Sequence, residues 1–305
     1  MTGSTGSRAG PAPRTAADSG RWTVLRLIQW SASYLEEKGV EQARLDAEHL
    51  LAHSLGKPRL QLYLEFDRPL TSDELAAFKP LLLRRAAREP LQYIVGRTGF
   101  RELELRTDAR ALIPRPETEV LVEVVLDLTR NRNGMAALDL GTGTGCIALS
   151  LAKEGPFASV TAVDLSAEAL ELARENATLT ELAEQVVFLH GSLYEPLSAD
   201  VRFDVIVSNP PYISEGERAE LQAEVGDYEP ETALFGGTGG LEIITAIVDG
   251  APERLRPGGL LALEVGLGQA DAVAELIGRL GAFQPARTHK DWTGRPRIIT
   301  AVRED

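Results

Sequence analysis

Cysteine occurs once in the 305 residues, at Cys146, so no internal disulfide can form and a reducing compartment is expected. Four histidines beside that one thiol leave little material for a zinc site, and no metal is expected. No apolar run nears the roughly 18 residues of a membrane span. The first 20 residues, rich in Gly, Ser, Thr, Ala and Pro, lack the hydrophobic segment of a signal peptide. They read as a disordered tail on a soluble, cytoplasmic protein. Positive charge is also scarce, 32 Lys and Arg against 45 Asp and Glu, and the deficit is local. Residues 1–110 carry 17 basic against 14 acidic side chains, whereas residues 111–305 carry 15 against 31. So acidic a surface repels phosphate and gains nothing from counterion release, which argues against a nucleic-acid partner. The remaining composition is that of a globular protein, 44% hydrophobic and 25% charged, with chain enough for two packed domains.

Residues 21–89 read as a small helical domain. Leu25, Ile28, Ala32 and Leu35 fall on one helical face beginning near Trp22 and ending at Gly39. A second helix is expected from about Glu41 to Leu55. Thr71 with Glu74 forms a capping box for a third, which carries Leu75, Phe78 and Leu82 and is closed by Pro90. Residues 90–116 read as a linker built on a hairpin, with strands at 93–96 and 103–105, before a helix from Glu117 to about Thr129. From Ala136 on, strands at 137–140, 160–163, 186–189, 205–207, 260–265 and 297–302 alternate with helices at 146–153, 167–179, 217–224, 241–255 and 269–280. That alternation predicts an α/β domain over 117–305, a mostly parallel sheet with helices on both faces. The short polar link 290–295 cannot be a parallel crossover, so the last strand is expected to pair antiparallel with one near 286–289.

Two segments carry chemistry. The first strand ends in Asp139 and opens a helix through Gly141-Thr142-Gly143-Thr144-Gly145. A dinucleotide fingerprint needs its third glycine at 146, which is occupied by Cys146, a residue that reads as a small buried side chain. Asp164 ends the second strand nineteen residues after Gly145, where a carboxylate can take both hydroxyls of a ribose. Strand, glycines and distal acid together resemble the S-adenosylmethionine site of Rossmann-like methyltransferases, with Asp139 facing the cationic part of that cofactor. The second segment is Asn209-Pro210-Pro211-Tyr212, entered directly from an apolar strand. Two prolines stiffen a strand end and leave the Pro210 carbonyl without a ladder partner. The Asn209 side chain adds a second acceptor. Two such acceptors can each take one N–H of a planar NH₂ group, while Tyr212 packs on its flat face and the nitrogen lone pair turns toward a methyl donor.

Asn-Pro-Pro-Tyr on such a sheet resembles both the N6-adenine methyltransferases and the glutamine N5-methyltransferases. Pro90-Leu91-Gln92-Tyr93-Ile94-Val95-Gly96, Phe100 and residues 112–119, Leu-Ile-Pro-Arg-Pro-Glu-Thr-Glu, are similar to the release-factor glutamine methyltransferase family. So are Leu138–Leu151, Glu229-Pro230, Ala233-Leu234, Gly236-Gly237, Leu263-Glu264-Val265-Gly266, Gln269, Asp291, Gly294 and Arg297. The resemblance spans about residues 21–303. It implies a Rossmann-like class I methyltransferase domain, and methyl transfer from S-adenosylmethionine to the glutamine amide of the Gly-Gly-Gln motif in class-1 peptide chain release factors. Carried over by position, it places Gly141, Thr142, Gly143, Thr144, Gly145 and Asp164 on the cofactor, and Asn209, Pro210, Pro211 and Tyr212 on the substrate amide. The helical domain would help dock the protein partner. Two departures stand out. The residue expected to lie along the adenine is aromatic in many members; here Leu193 holds that place, with Tyr194 beside it. The usual Gly-Gly-x-Asp-Gly-Leu stands here as Gly236-Gly237-Thr238-Gly239-Gly240-Leu241, without the acid. Arg115, Glu117 and Glu119 read either as the start of a helix after a rigid linker or as the wall around the cofactor's methionine end. Nucleic-acid adenine methylation and a non-catalytic binding module are the competing expectations.

Overall fold

The computed structural model describes residues 21–305, so the expected tail over residues 1–20 lies outside the described residues. The chain divides after Leu91 into two compact units. The first holds α1 (Val24–Glu37), α2 (Ala43–Ser54), α3 (Arg59–Leu64) and α4 (Ser72–Ala86). Thr23 caps α1, whose buried face is Val24, Leu27, Ile28, Ser31, Ala32 and Leu35. Leu25, expected on that face, is only half-buried. The capping box of α4 is formed from both sides: the Thr71 hydroxyl accepts from Glu74 N at 3.2 Å, and the Glu74 carboxylate from Thr71 N at 2.8 Å. Inside the unit, Arg85 donates to Asp46 at 2.7 Å, an ion pair nearly out of water on both sides. α3 was not expected; six residues are too few for a helical period to register.

The linker departs from its reading. Residues 91–95, expected to end in a strand, form α5 (Leu91–Val95), and the hairpin is β1 (Arg97–Phe100) with β2 (Leu103–Arg106). Gly96 N bonds the Gln92 carbonyl at 2.7 Å, and the Tyr93 hydroxyl donates to the Ala111 carbonyl at 2.8 Å. Burial of Tyr93 and Ile94 against their surroundings overrides the β-branched preference of Ile94-Val95. Arg101 turns the hairpin at φ 50°, its guanidinium on Glu154.

The second unit centres on a seven-stranded sheet: β3 (Met135–Leu140), β4 (Phe157–Asp164), β5 (Val186–His190), β6 (Phe203–Ser208), β7 (Leu255–Glu264), β8 (Arg287–Lys290) and β9 (Pro296–Val302). Its order is β5-β4-β3-β6-β7-β9-β8, parallel throughout except that β9 runs against β7 and β8. This is the mostly parallel sheet with a reversed last strand that the sequence predicts. Alternation along each strand feeds two cores. Ala137, Val160, Val205 and Val207 pack on α6 (Pro116–Thr129) and α7 (Cys146–Glu154). Leu138, Leu140, Ile206 and Leu263 pack on α11 (Glu242–Arg254) and α12 (Ala270–Arg279). α8 (Ala167–Leu179) follows β4. The helix expected at 217–224 is broken: a 3₁₀ turn covers Glu215–Glu220, Leu221 is extended at ψ 142°, and two four-residue helices follow, α9 (Ala223–Gly226) and α10 (Glu231–Leu234). β3 leads outward toward β4 while β6 lies on its other side, so the carboxyl ends of these two strands form the switch point where such sheets bind ligands.

Candidate active site

Every loop at that edge is tied to its neighbour. Gly141 N and Thr142 N both bond the Val163 carbonyl, and Gly191 N bonds the Asp164 carbonyl. Gly141, Gly143 and Gly145 have φ of 71°, 55° and 84°, a region only glycine enters without strain. The turn they make brings Gly143 N to 2.8 Å from Asp164 Oδ2, while Oδ1 accepts from Ser166 N at 2.8 Å. Each carboxylate oxygen keeps a further lone-pair site, so Asp164 can still take two hydroxyls. Burial raises its pKa, against the pull of those backbone N–H groups.

Between this turn and the Asn209 segment lies a cavity of about 420 Å³, within the range of small-molecule sites. Its wall is made by residues 110–115, 140–144, 163–166, 191–193 and 208–211, with Thr118, Ala233, Ile243 and Ile247 among the others. The residues fit a nucleoside. A diol acceptor stands at Asp164, aliphatic side chains stand on the walls, and a Cβ built at Gly141 would meet nothing within 4 Å. Leu193 lines the cavity at φ 47°, whereas Tyr194 is turned away, its hydroxyl on the Ile247 carbonyl at 2.7 Å. Cys146 also reaches the wall, but burial pushes its thiol up to about 12, which leaves it unreactive at neutral pH.

On the opposite side β6 delivers Asn209 and Pro210 to the cavity. Asn209 Nδ2 donates to Thr118 Oγ1 at 3.0 Å, and Thr118 Oγ1 donates to Glu264 Oε2 at 2.8 Å. Among the described residues no main-chain N–H bonds the Pro210 carbonyl. The segment is braced from behind: Gln269 Nε2 donates to the Tyr212 carbonyl at 2.9 Å, and Gly236 N to the Ile213 carbonyl at 2.9 Å. A Cβ on Gly236 would lie 2.4 Å from the Pro211 carbonyl oxygen, and one on Gly240 would lie 2.5 Å from that of Tyr212. Beside the acid-free stretch 236–241, the Glu242 carboxylate accepts from Gly239 N and Leu241 N.

Asp139, Gly145 and Tyr212 do not line the cavity. Asp139 is fully buried beneath the turn, where Oδ2 accepts from the Thr142 hydroxyl at 2.6 Å and Ala148 N at 3.2 Å. It therefore shapes the glycine turn from below rather than facing a ligand. Gly145 is the N-cap of α7. The Tyr212 hydroxyl accepts from Arg297 at 2.9 Å, and that guanidinium lies 5.2 Å from the ring centroid, so the ring props the segment rather than facing the cavity. Arg115 lines the cavity and holds both oxygens of buried Glu229 at 2.7 Å, while Glu117 and Glu119 stay outside the wall. Thr118, Glu229, Glu264 and Arg297 stood in the sequence only as marks of resemblance. Of these only Glu264 carries a signal of its own, a lone acid within the apolar run 260–265.

Asp139 also gives a pH test. Burial pushes it up to about 7 from an ordinary 3.8. The folded chain then binds a proton that the unfolded chain has lost over that interval, so its contribution to stability is present at low pH and fades as pH rises through about 7. Asp139→Asn mimics the protonated form. The expected result is that its stability, read from melting curves, gains on the parent's by about 1.4 kcal/mol per pH unit as pH rises from 5 toward 7 and levels off above that. The depressed His49 and His289 act in the opposite sense below about pH 6.5, but equally in both proteins. A gap constant with pH would remove the assignment.

Comparison with known proteins follows the same division. The model of the PrmC N-terminal domain matches residues 26–96, and that of the methyltransferase small domain matches residues 116–225. The release factor glutamine methyltransferase of Geobacter sulfurreducens is 47% identical over 278 residues, 91% of this chain and 96% of its own. That of Rhodopirellula baltica is 39% identical over 283 residues, 92% and 96%. Among solved structures, a methyltransferase from Pyrococcus furiosus superposes with a TM-score of 0.52 at 22% identity, over 67% of this chain and 90% of that one, a likeness of fold.

Proposed function

Since the chain belongs to the release factor glutamine methyltransferase family, we infer that it moves a methyl group from S-adenosylmethionine to the side-chain amide nitrogen of a release-factor glutamine. Within that reaction, the target is the glutamine of the Gly-Gly-Gln motif in class-1 peptide chain release factors, and the compartment is the cytoplasm. No helix among the described residues is long and apolar enough to cross a membrane.

When bound, S-adenosylmethionine would supply a methyl group whose bond to the sulfonium breaks to leave a neutral thioether, so the protein's task is to aim the nucleophile. Residues 141–144, Asp164 and Leu193 line the cavity and would hold the adenosine. The glutamine amide nitrogen is a poor nucleophile because its lone pair is delocalised. Asn209 Oδ1 and the Pro210 carbonyl each accept one of its N–H bonds, which turns the lone pair out of the amide plane toward the methyl. Positive charge develops on the nitrogen as the N–C bond forms, facing two acceptors already in place. The nitrogen then loses a proton to water and remains a neutral N-methyl amide. Pro211 and Tyr212 keep the segment rigid behind this pair.

The observation that carries the reading is the Asn209–Thr118 bond, which occupies the nitrogen end of the Asn209 amide and leaves its oxygen as the acceptor. The helical unit is proposed as a docking surface for the protein partner. Its α3 leaves Leu60 and Leu64 more than 70% exposed. The deciding experiment offers radiolabelled cofactor with a purified class-1 release factor, its Gly-Gly-Gln Gln→Ala variant, or duplex DNA. Label on the release factor alone, lost in the variant, is expected. Label on DNA would overturn the reading in favour of adenine methylation.

A further inference from the structure

A hydroxyl has one proton and an amide has two different ends, and these two facts constrain the interior behind Asn209. Thr118 is buried in the first turn of α6, where its Oγ1 lies 2.8 Å from Glu264 Oε2 and 3.0 Å from Asn209 Nδ2. Glu264, at the end of β7, is fully buried, and its other oxygen lies 3.5 Å from Arg297 Nη2. Burial pushes its carboxyl up to about 7, so above that pH, beside Arg297, it is ionised and only accepts. It therefore takes the single proton of Thr118, and the hydroxyl can offer Asn209 nothing but a lone pair. The end of the Asn209 amide facing Thr118 must then be the NH₂, and its oxygen must face the other way. An unguided asparagine could present either end, and presenting NH₂ to an acceptor NH₂ would set donor against donor.

We propose that Thr118 and Glu264 are positioning residues that set the polarity of the Asn209 amide, holding its oxygen toward the methyl acceptor. The proposal rests on the methyl-transfer reading above and assigns a function to two buried polar side chains that touch neither reacting atom. Arg297 belongs to the same arrangement, since it faces Glu264 Oε1 and also donates to the Tyr212 hydroxyl. Its charge fixes which oxygen of Glu264 is left for Thr118. The relay thus joins four elements, α6, β7, β9 and the end of β6, and reaches the cavity wall at Thr118 and Asn209.

The test is a comparison of Thr118→Val, Thr118→Ser and Glu264→Gln, alone and with Asn209→Ala, in label transfer to a purified release factor at about pH 8, above the raised value of Glu264. Thr118→Val keeps the shape and removes the hydroxyl; kcat should fall about tenfold, a partial loss of the preorganisation that Asn209 provides. KM for the release factor and cofactor affinity by calorimetry should stay close to those of the parent, while the melting temperature falls by a few degrees because Glu264 Oε2 and Asn209 Nδ2 lose their partner. Thr118→Ser should restore kcat. In Glu264→Gln the amide oxygen is drawn to Arg297, so its NH₂ turns to Thr118 and frees the threonine proton for the Asn209 oxygen. A kcat loss similar to that of Thr118→Val is expected. Neither change should add to the loss in Asn209→Ala, because both act through that side chain. Parental kcat in Thr118→Val, or an equal further loss in the Asn209→Ala background, would overturn the proposal. Should Thr118→Val fail to fold, Thr118→Ala serves the same comparison. If the parent labels no release factor, the functional reading falls and this proposal with it; if parent and Thr118→Val label it alike, only the proposal falls.

Discussion

Asn209→Ala is expected to lower turnover about 10²-fold or more while leaving the cofactor's dissociation constant within a few-fold of the parent's. The expectation follows from where Asn209 stands. Its side chain faces the cavity at the end of β6, and the rest of the segment is held by main-chain contacts that alanine does not disturb. The lost acceptor matters most when charge develops on the substrate nitrogen, so the effect belongs in kcat. Single-turnover rates at saturating cofactor, beside a calorimetric titration, separate the two quantities. Turnover equal to the parent's would take Asn209 out of the mechanism.

The second large effect is expected in binding. Asp164→Ala removes a carboxylate that can take two hydroxyls, and hydrogen bonds to a charged group contribute about 1.5–3 kcal/mol each. Cofactor affinity should therefore fall about 10²-fold, with turnover at saturation far less affected. Part of that loss is indirect, because Gly143 N and Ser166 N also lose their acceptor and the glycine turn loosens. Asp164→Asn retains one oxygen and should fall between the two. An unchanged dissociation constant in Asp164→Ala would contradict the ribose assignment.

The two ends of the site differ in how openly the sequence displays them. The glycine turn and the Asn-Pro-Pro-Tyr segment are legible because each solves a backbone problem, positive φ at 141, 143 and 145 and missing donors at 210 and 211, that only particular residues can solve. Asp164 is legible by its distance from that turn. Thr118 and Glu264 are not, since they meet only when β7 and α6 pack, across 146 residues of chain. Asp139 misleads for the opposite reason. It sits where a ligand-facing acid is expected, yet its strand position points it into the interior, where the Thr142 hydroxyl and Ala148 N both bond its Oδ2. In the fold, the alternation of strands and helices and the reversed β9 follow from apolar periodicity and a short polar link. The stretch 91–95 misleads because five residues satisfy a strand and a helical turn equally well, and the Tyr93 contact decides between them.

One of the two proposed acceptors is a main-chain oxygen, and that changes where heredity can damage the site. Replacing Pro210 alters the ring but cannot delete the carbonyl. The oxygen can be lost only by moving the backbone, and the residues that hold the backbone in place lie elsewhere in the gene. Gly236 and Gly240 have carbonyls of the segment 2.4 and 2.5 Å from where their side chains would begin, so any replacement pushes directly on Pro211 or Tyr212. Variation at these two plain glycines, which carry no functional group, is as dangerous to the chemistry as variation at Asn209 itself.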